Sequence, residues 1–154
     1  MKKLSIILLL LLSASVLFAG PAAEGTTKIG ISKFVAHPAL DAVEQGIQDA
    51  LAEAGHTDVE YDLQNANADM NSVASISSKF KADKVDVAIG IATPSAISLV
   101  QAISDIPVVF TAVTDPVDSG LVGSLGASGT NVTGYSDMTP VREQIELMVN
   151  LGGG

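Results

Sequence analysis

Short apolar runs alternate with amphipathic runs from Lys28 almost to the end of the chain, and this alternation limits the fold more than any other feature. The apolar runs predict five strands, at residues 28–34, 59–63, 85–91, 107–112 and 131–135. Residues 39–54 and the segments beginning near Met70, Thr93 and Val141 show the three- and four-residue apolar spacing of helices. Strands alternating with helices predict an α/β fold, a doubly wound parallel sheet with right-handed crossovers. The near-continuously apolar fourth strand predicts a strand covered on both faces.

A parallel sheet brings all its strand-to-helix loops to one edge. The predicted loops on that edge are residues 35–38, 64–69, 92–95, 113–117 and 136–140. Ligands of such sheets bind outside the carboxyl ends of the strands. We therefore expect any binding site to lie on this edge, which we call the rim.

The first residues do not fit the alternating pattern. Met1, Lys2 and Lys3 form a short basic start, the next 15 residues are almost wholly apolar, and small residues follow. This arrangement is typical of a secretory signal peptide, which we assign to residues 1–23, although a retained membrane anchor is the alternative. Pro21 stands where a lipoprotein would have its acylated cysteine, so we expect a soluble protein exported to the periplasm or beyond the cell.

The charge of the chain argues against nucleic acid as a partner. Eight Lys and Arg residues face 17 Asp and Glu residues, a formal net charge of −9. Without Lys2 and Lys3, six basic residues face the 17 acidic ones and the charge is near −11. An acidic chain with scattered basic residues repels a phosphate backbone.

The sequence offers little catalytic chemistry. The chain has no cysteine and two histidines, so thiol catalysis, disulfides and cysteine metal sites are excluded. It contains no dinucleotide-binding glycine motif, no P-loop and no nucleophile elbow. Glycines at every third position from Gly120 to Gly129 indicate a flexible connection. We expect no enzyme activity, no cofactor and no metal ion.

The rim is instead suited to a small zwitterion. Helices that open near Pro38, Pro94 and Pro140 would direct backbone N–H groups at a ligand carboxylate. Asp115 or Asp137 would pair with an ammonium group. Several of these residues also have structural interpretations. Thr93 and Ser95 would cap a helix, His37 likewise, Asp115 would shape a turn, and Phe34 or Tyr135 would join the core.

Five blocks of sequence carry a resemblance to a known family. They are KIGISKFVAHPALDAVEQGIQDALAEAG, QNANADM, VDVAIGIATPSA, IPVVFTAVTDPVDSGLVGSL and GTNVTGYSDMTPVREQIELM. Together they resemble ABC-transporter substrate-binding proteins of the tryptophan/tyrosine-binding type, over residues 28–151. The resemblance implies a lobe of the type I periplasmic-binding fold that binds a small organic ligand, such as an amino acid, for a membrane permease. Carried over by position, the implied ligand-binding residues are Phe34, His37, Pro38, Thr93, Ser95, Thr114, Asp115, Ser136 and Asp137.

The resemblance also implies a second lobe that this sequence does not contain. A member of the family continues from the last helix into a lobe of similar size, whereas this sequence ends in Gly152, Gly153 and Gly154. We therefore expect residues 24–151 to form an N-terminal lobe, residues 152–154 to be a glycine tail at a truncation, and the protein to be a monomer. A periplasmic sensor that presents a ligand-dependent surface to a membrane receptor is the alternative function.

The signal-peptide assignment predicts a specific product. After export, the mature protein should begin between Gly20 and Glu24, because the small residues there suit signal peptidase. Intact-mass measurement of exported protein tests this, and a product that still starts at Met1 would contradict it.

Overall fold

A computed structural model describes residues 25–126 and 129–152. The predicted signal peptide and the last two glycines of the tail lie outside these residues. The strands are β1 (Thr27–Lys33), β2 (Val59–Asn65), β3 (Val87–Ile91), β4 (Val108–Val113) and β5 (Val132–Ser136). The helices are α1 (Pro38–Glu53), α2 (Met70–Ala82), α3 (Thr93–Ala102) and α4 (Val141–Leu151).

The strands form one parallel sheet in the order β2-β1-β3-β4-β5, so the predicted doubly wound topology is confirmed. The predicted strand bounds lie within two residues of the observed ones, and one difference has a clear physical cause. Strand β2 extends two residues further than predicted, because Gln64 and Asn65 pair with Ser32 and Lys33 of β1. Polar residues that suggested a turn are held in the sheet by the neighbouring strand.

The helices cover the two faces of the sheet unequally. Helices α2 and α3 bury one face, where the larger core includes Val73, Phe80, Leu99, Val108 and Phe110. On the other face, α1 packs through partly buried residues over a smaller core of four isoleucines: Ile29, Ile31, Ile89 and Ile91. Helix α1 ends as predicted, with Gly55 in the left-handed region at φ +89°.

The expectation that β4 is covered on both faces is met only in part, since Val109 and Ala112 pack against the smaller core but remain partly exposed. Val108 and Phe110 are buried on the side of α2 and α3. Val109 and Thr111 line an open depression of about 440 Å³ on the side of α1. We call this depression the apolar hollow; its walls include Ile47, Leu51, Val87, Ile89, Val109 and Tyr135. The apolar pattern of β4 identifies a strand that can be covered, but coverage depends on elements distant in sequence.

Glycine in β3 brings α3 close to the sheet. A Cβ atom at Gly90 would lie 2.7 Å from the Cα atom of Ala96 and 2.8 Å from its backbone nitrogen. These atoms belong to the first turns of α3, so a side chain at position 90 would push the start of the helix away from the strand. Gly90 therefore determines where the N-terminus of α3 stands on the rim.

Substitution of Gly90 by alanine should lower the free energy of unfolding by about 1–3 kcal/mol, the usual cost of overfilling a packed interior. Gly46 is the matched control, since it lies mid-helix in α1 with no atom within 4 Å of an added Cβ. Gly46→Ala should raise stability by roughly 0.5–1 kcal/mol. Urea denaturation measures both changes, and a Gly90→Ala variant as stable as the original chain would contradict the close approach.

Candidate functional site

The carboxyl ends of the five strands meet at the rim, and the nine residues predicted for the site lie on or beside it. A hydrogen bond joins two of them: the Ser136 hydroxyl donates to the carbonyl of Thr114 at 2.8 Å. The same hydroxyl oxygen accepts from the amide of Met138 at 3.1 Å. This pair of bonds joins the end of β5 to the end of β4.

The loop after β1 carries Phe34, His37 and Pro38. Phe34 is partly buried and packs against the larger core, as the structural interpretation predicted. His37 is exposed and is the N-cap of α1, where its Nδ1 accepts from the amide of Ala39 at 3.2 Å. Pro38 occupies the first position of the helix, which suits its fixed φ. The capping interpretation of His37 is confirmed.

Lys33 at the end of β1 is a feature that the sequence reasoning missed. Its side chain is buried beneath α1, with Nζ 2.6 Å from Asp41 Oδ1 and 3.1 Å from Glu44 Oε1. Burial lowers the pKa of Lys33, but the hydrogen bonds and charges of Asp41 and Glu44 outweigh it and raise the pKa above its ordinary value. The spacing of these two carboxylates, three residues apart early in the next helix, is the signal that could have revealed the pairing.

Asp69 closes the loop after β2. One carboxylate oxygen accepts from the amide of Asn71 at 3.1 Å, and the other accepts from the amide and the hydroxyl of Ser72 at 3.3 and 2.9 Å. These hydrogen bonds hold the pKa of Asp69 below its ordinary value, and the bond from the Ser72 hydroxyl has the largest effect. Asp69 is thus committed to capping α2.

The loop after β3 differs from these two because α3 begins without a side-chain cap. Its N-cap residue is Ala92, at φ +77°, a value that residues other than glycine rarely adopt. Thr93 and Ser95 lie inside the first turn, so the capping interpretation of both is wrong. Ser95 is fully buried, and among the described residues its hydroxyl has no hydrogen-bond partner.

A cleft opens between the starts of α2 and α3. It has a volume of about 290 Å³, and its walls include Met70, Val73, Thr93, Pro94 and Ile97. Most of these side chains are apolar, but Thr93 carries a hydroxyl and is the first residue of the uncapped helix. The cleft therefore combines an apolar wall with the positive end of a helix dipole.

The loops after β4 and β5 carry the remaining predicted residues. Asp115 Oδ1 accepts from the amides of Val117 and Asp118 at 3.0 and 2.9 Å, so its turn-forming interpretation is confirmed. Asp137 is exposed, and its amide donates to the carbonyl of Val113 at 3.1 Å. Of the two carboxylates predicted for an ammonium group, Asp137 is the more accessible.

Two kinds of site have no candidate in the part of the chain that the structure describes. Residues 25–126 and 129–152 contain no group of three or more His, Cys, Asp or Glu side chains placed to hold a metal ion. Within the same ranges, no helix has the length and hydropathy needed to cross a bilayer.

Comparison with known proteins gives a consistent match over most of the described residues. Residues 28–151 match the family model of the ABC transporter substrate binding proteins. A tyrosine-binding protein of Clostridioides difficile is 46% identical over 126 residues, which are 80% of this chain and 36% of that protein. This chain thus spans about a third of that curated relative.

Solved structures show the same similarity. A conserved domain protein of Vibrio cholerae has a TM-score of 0.78 at 44% identity, over 80% of this chain and 43% of that one. An ABC domain in complex with L-Trp from Streptococcus pneumonia has a TM-score of 0.77 at 43% identity, over 81% and 43%. A ligand-free, open substrate binding protein with adhesive properties from Clostridium difficile has a TM-score of 0.75 at 46% identity, over 79% and 42%.

The cap at Asp69 predicts a pH dependence. Because the folded-state pKa is lowered, the stabilisation is complete above the ordinary pKa of about 4 and is lost as pH falls through the lowered value. Asp69→Asn keeps an acceptor oxygen but does not titrate, so it should lose less stability between pH 4 and pH 2 than the original chain. Asp69→Ser, a second cap that does not titrate, should behave alike. Equal acid losses for all three in chemical denaturation would contradict this role.

Proposed function

The chain belongs to the ABC transporter substrate-binding protein family, and on that premise we propose that it binds an aromatic L-amino acid at the rim. The ligand would then be delivered to a membrane permease. The uncapped start of α3 is the observation that carries this proposal. The starts of α1 and α2 are occupied by His37 and Asp69, whereas α3 and α4 begin with no side-chain acceptor. The start of α3 also lies on the wall of the apolar cleft.

A ligand carboxylate suits this position. The amides of a helix's first turn lack intrahelical acceptors, and the helix dipole favours a negative charge there. The Thr93 hydroxyl on the wall of the cleft would add a hydrogen bond. Ser95 lies in the same turn, and its buried hydroxyl has no hydrogen-bond partner among the described residues, which supports including it in the proposed site.

The other two parts of an aromatic amino acid have matching surroundings. The apolar walls of the cleft, Met70, Pro94 and Ile97, suit a ring. Asp137, exposed at the end of β5, would pair with the ammonium group. The names of the relatives agree with this class of ligand: one is called a tyrosine-binding protein, and another was solved with L-Trp.

This lobe would form one wall of the site in a longer protein. The solved relatives are more than twice as long as the matched segment. A second lobe would close over the rim, and burial between two lobes would supply most of the affinity. Export to the periplasm and delivery to a permease follow from the family and are part of the proposal.

Ligand-observed NMR, which detects weak binding, tests the proposal on the chain itself. L-Tryptophan and L-tyrosine should give saturation-transfer signals, and tyramine, which lacks the carboxylate, should bind about tenfold more weakly or worse, because a charged hydrogen bond is worth about 1.5–3 kcal/mol. Thr93→Val should weaken the amino acids but not tyramine.

The matched control is Thr57→Val, an exposed threonine at the opposite edge of the sheet, which should leave binding unchanged. If tyramine binds as well as tyrosine, or if Thr93→Val and Thr57→Val behave alike, the carboxylate does not bind at α3 and the proposal fails.

A further inference from the structure

The three methionines of the described residues all lie on the surface. Met70, Met138 and Met148 are 60%, 53% and 68% exposed, and neither apolar core includes any of them. Methionine is among the residues most often buried, because its flexible thioether fills irregular gaps in a core. Here the sulfur atoms are open to reagents in the solvent, and the position of each methionine decides what its modification would change.

Met70 is the methionine that lies at the proposed ligand site. It is the first residue of α2 and forms part of the wall of the cleft, together with Pro94 and Ile97 of α3. Met138 and Met148 do not line the cleft. Met70 thus combines an exposed side chain with a place on the surface that would hold the ring of an aromatic amino acid.

We propose that Met70 is an oxidation site through which hydrogen peroxide weakens ligand binding. The inference rests on the proposed function, in which the apolar wall of the cleft binds the ring. The lone pair of the thioether sulfur forms a bond to one oxygen of the peroxide while the O–O bond breaks. The proton on the transferred oxygen passes to the departing hydroxide and gives water. Sulfur is oxidised by two electrons to methionine sulfoxide, and the peroxide is reduced.

Oxidation would change the chemistry of the cleft wall. A thioether is apolar, adapts its shape and contacts aromatic rings favourably, whereas a sulfoxide is polar and accepts hydrogen bonds. A bound ring would remove water from the sulfoxide oxygen, and the neighbouring Val73, Pro94 and Ile97 have no side-chain donor to replace that water. We therefore expect a ring-bearing ligand to bind about fivefold more weakly or worse.

The fold should be unaffected by this oxidation. Because Met70 belongs to neither core, its oxidation disturbs no buried packing. The cap of α2 is made by the carboxylate of Asp69 and does not involve the sulfur. Oxidation of Met70 would therefore act on binding alone, and it would be reversible, since methionine sulfoxide reductases restore the thioether.

Peroxide treatment of the chain and of two leucine variants tests the inference. Met70→Leu keeps an apolar side chain of similar volume that peroxide does not oxidise. Met148→Leu is the matched control, because Met148 is equally accessible but lies outside the cleft. Peptide mass mapping measures oxygen uptake at each methionine, and ligand-observed NMR measures the binding of L-tryptophan and tyramine.

Peroxide should weaken both ligands about fivefold or more in the original chain and in Met148→Leu, and leave Met70→Leu nearly unchanged. A methionine sulfoxide reductase should restore binding to the original chain. Four results would overturn the proposal: no oxygen uptake at Met70, full binding by the chain that carries Met70 sulfoxide, an equal loss in Met70→Leu, or a lower free energy of unfolding after oxidation in urea denaturation.

Tyramine separates a failure of this inference from a failure of the proposed function. It has a ring but no carboxylate, so its loss on oxidation depends on the cleft wall and not on the start of α3. If tyramine binds as well as tyrosine and peroxide still weakens it, the carboxylate site is rejected and the role of Met70 stands. If Thr93→Val weakens the amino acids alone and peroxide has no effect, the role of Met70 is rejected and the carboxylate site stands. If neither ligand binds the untreated chain, both are rejected.

Discussion

The close approach of α3 to β3 at Gly90 is the constraint on which the rim depends. The backbone of Ala96 lies where a side chain at position 90 would stand. This contact places the first turn of α3 directly against the sheet, next to the end of the strand. A larger residue would push the helix start away from the strand, and the cleft between α2 and α3 would change with it.

Most polar side chains of the rim already take part in hydrogen bonds or ion pairs within the chain. His37, Asp69 and Asp115 accept hydrogen bonds from nearby backbone amides, so they shape loops and helix starts. Lys33 is bound to Asp41 and Glu44 beneath α1. The proposed function uses the start of α3 for a ligand carboxylate and the carboxylate of Asp137 for an ammonium group. A site of this kind depends on backbone amides at a fixed position, which explains why no catalytic motif marks it in the sequence.

Much of the fold could be predicted because its determinants are local. Alternating strands and helices fix the parallel sheet, and Gly55 ends α1 as its conformation requires. The failures concern contacts between distant elements. The sequence of β4 does not reveal that one of its faces borders the apolar hollow. The sequence of β2 does not reveal that pairing with β1 lengthens the strand to Asn65. At the site, residue types predicted which loops form the rim and offered a turn as one interpretation of Asp115, which is correct. They could not tell that α3 begins without a side-chain cap, because Thr93 and Ser95 look equally suited to capping.

The central claim is that the uncapped start of α3 is the point where this family member holds its ligand. Mapping backbone amide shifts of the chain during titration with L-tryptophan tests it most directly. The account predicts the largest shifts at Thr93 and Ser95, with smaller shifts at Asp137. Shifts centred on the apolar hollow or on the opposite edge of the sheet near His56, with none at α3, would contradict it.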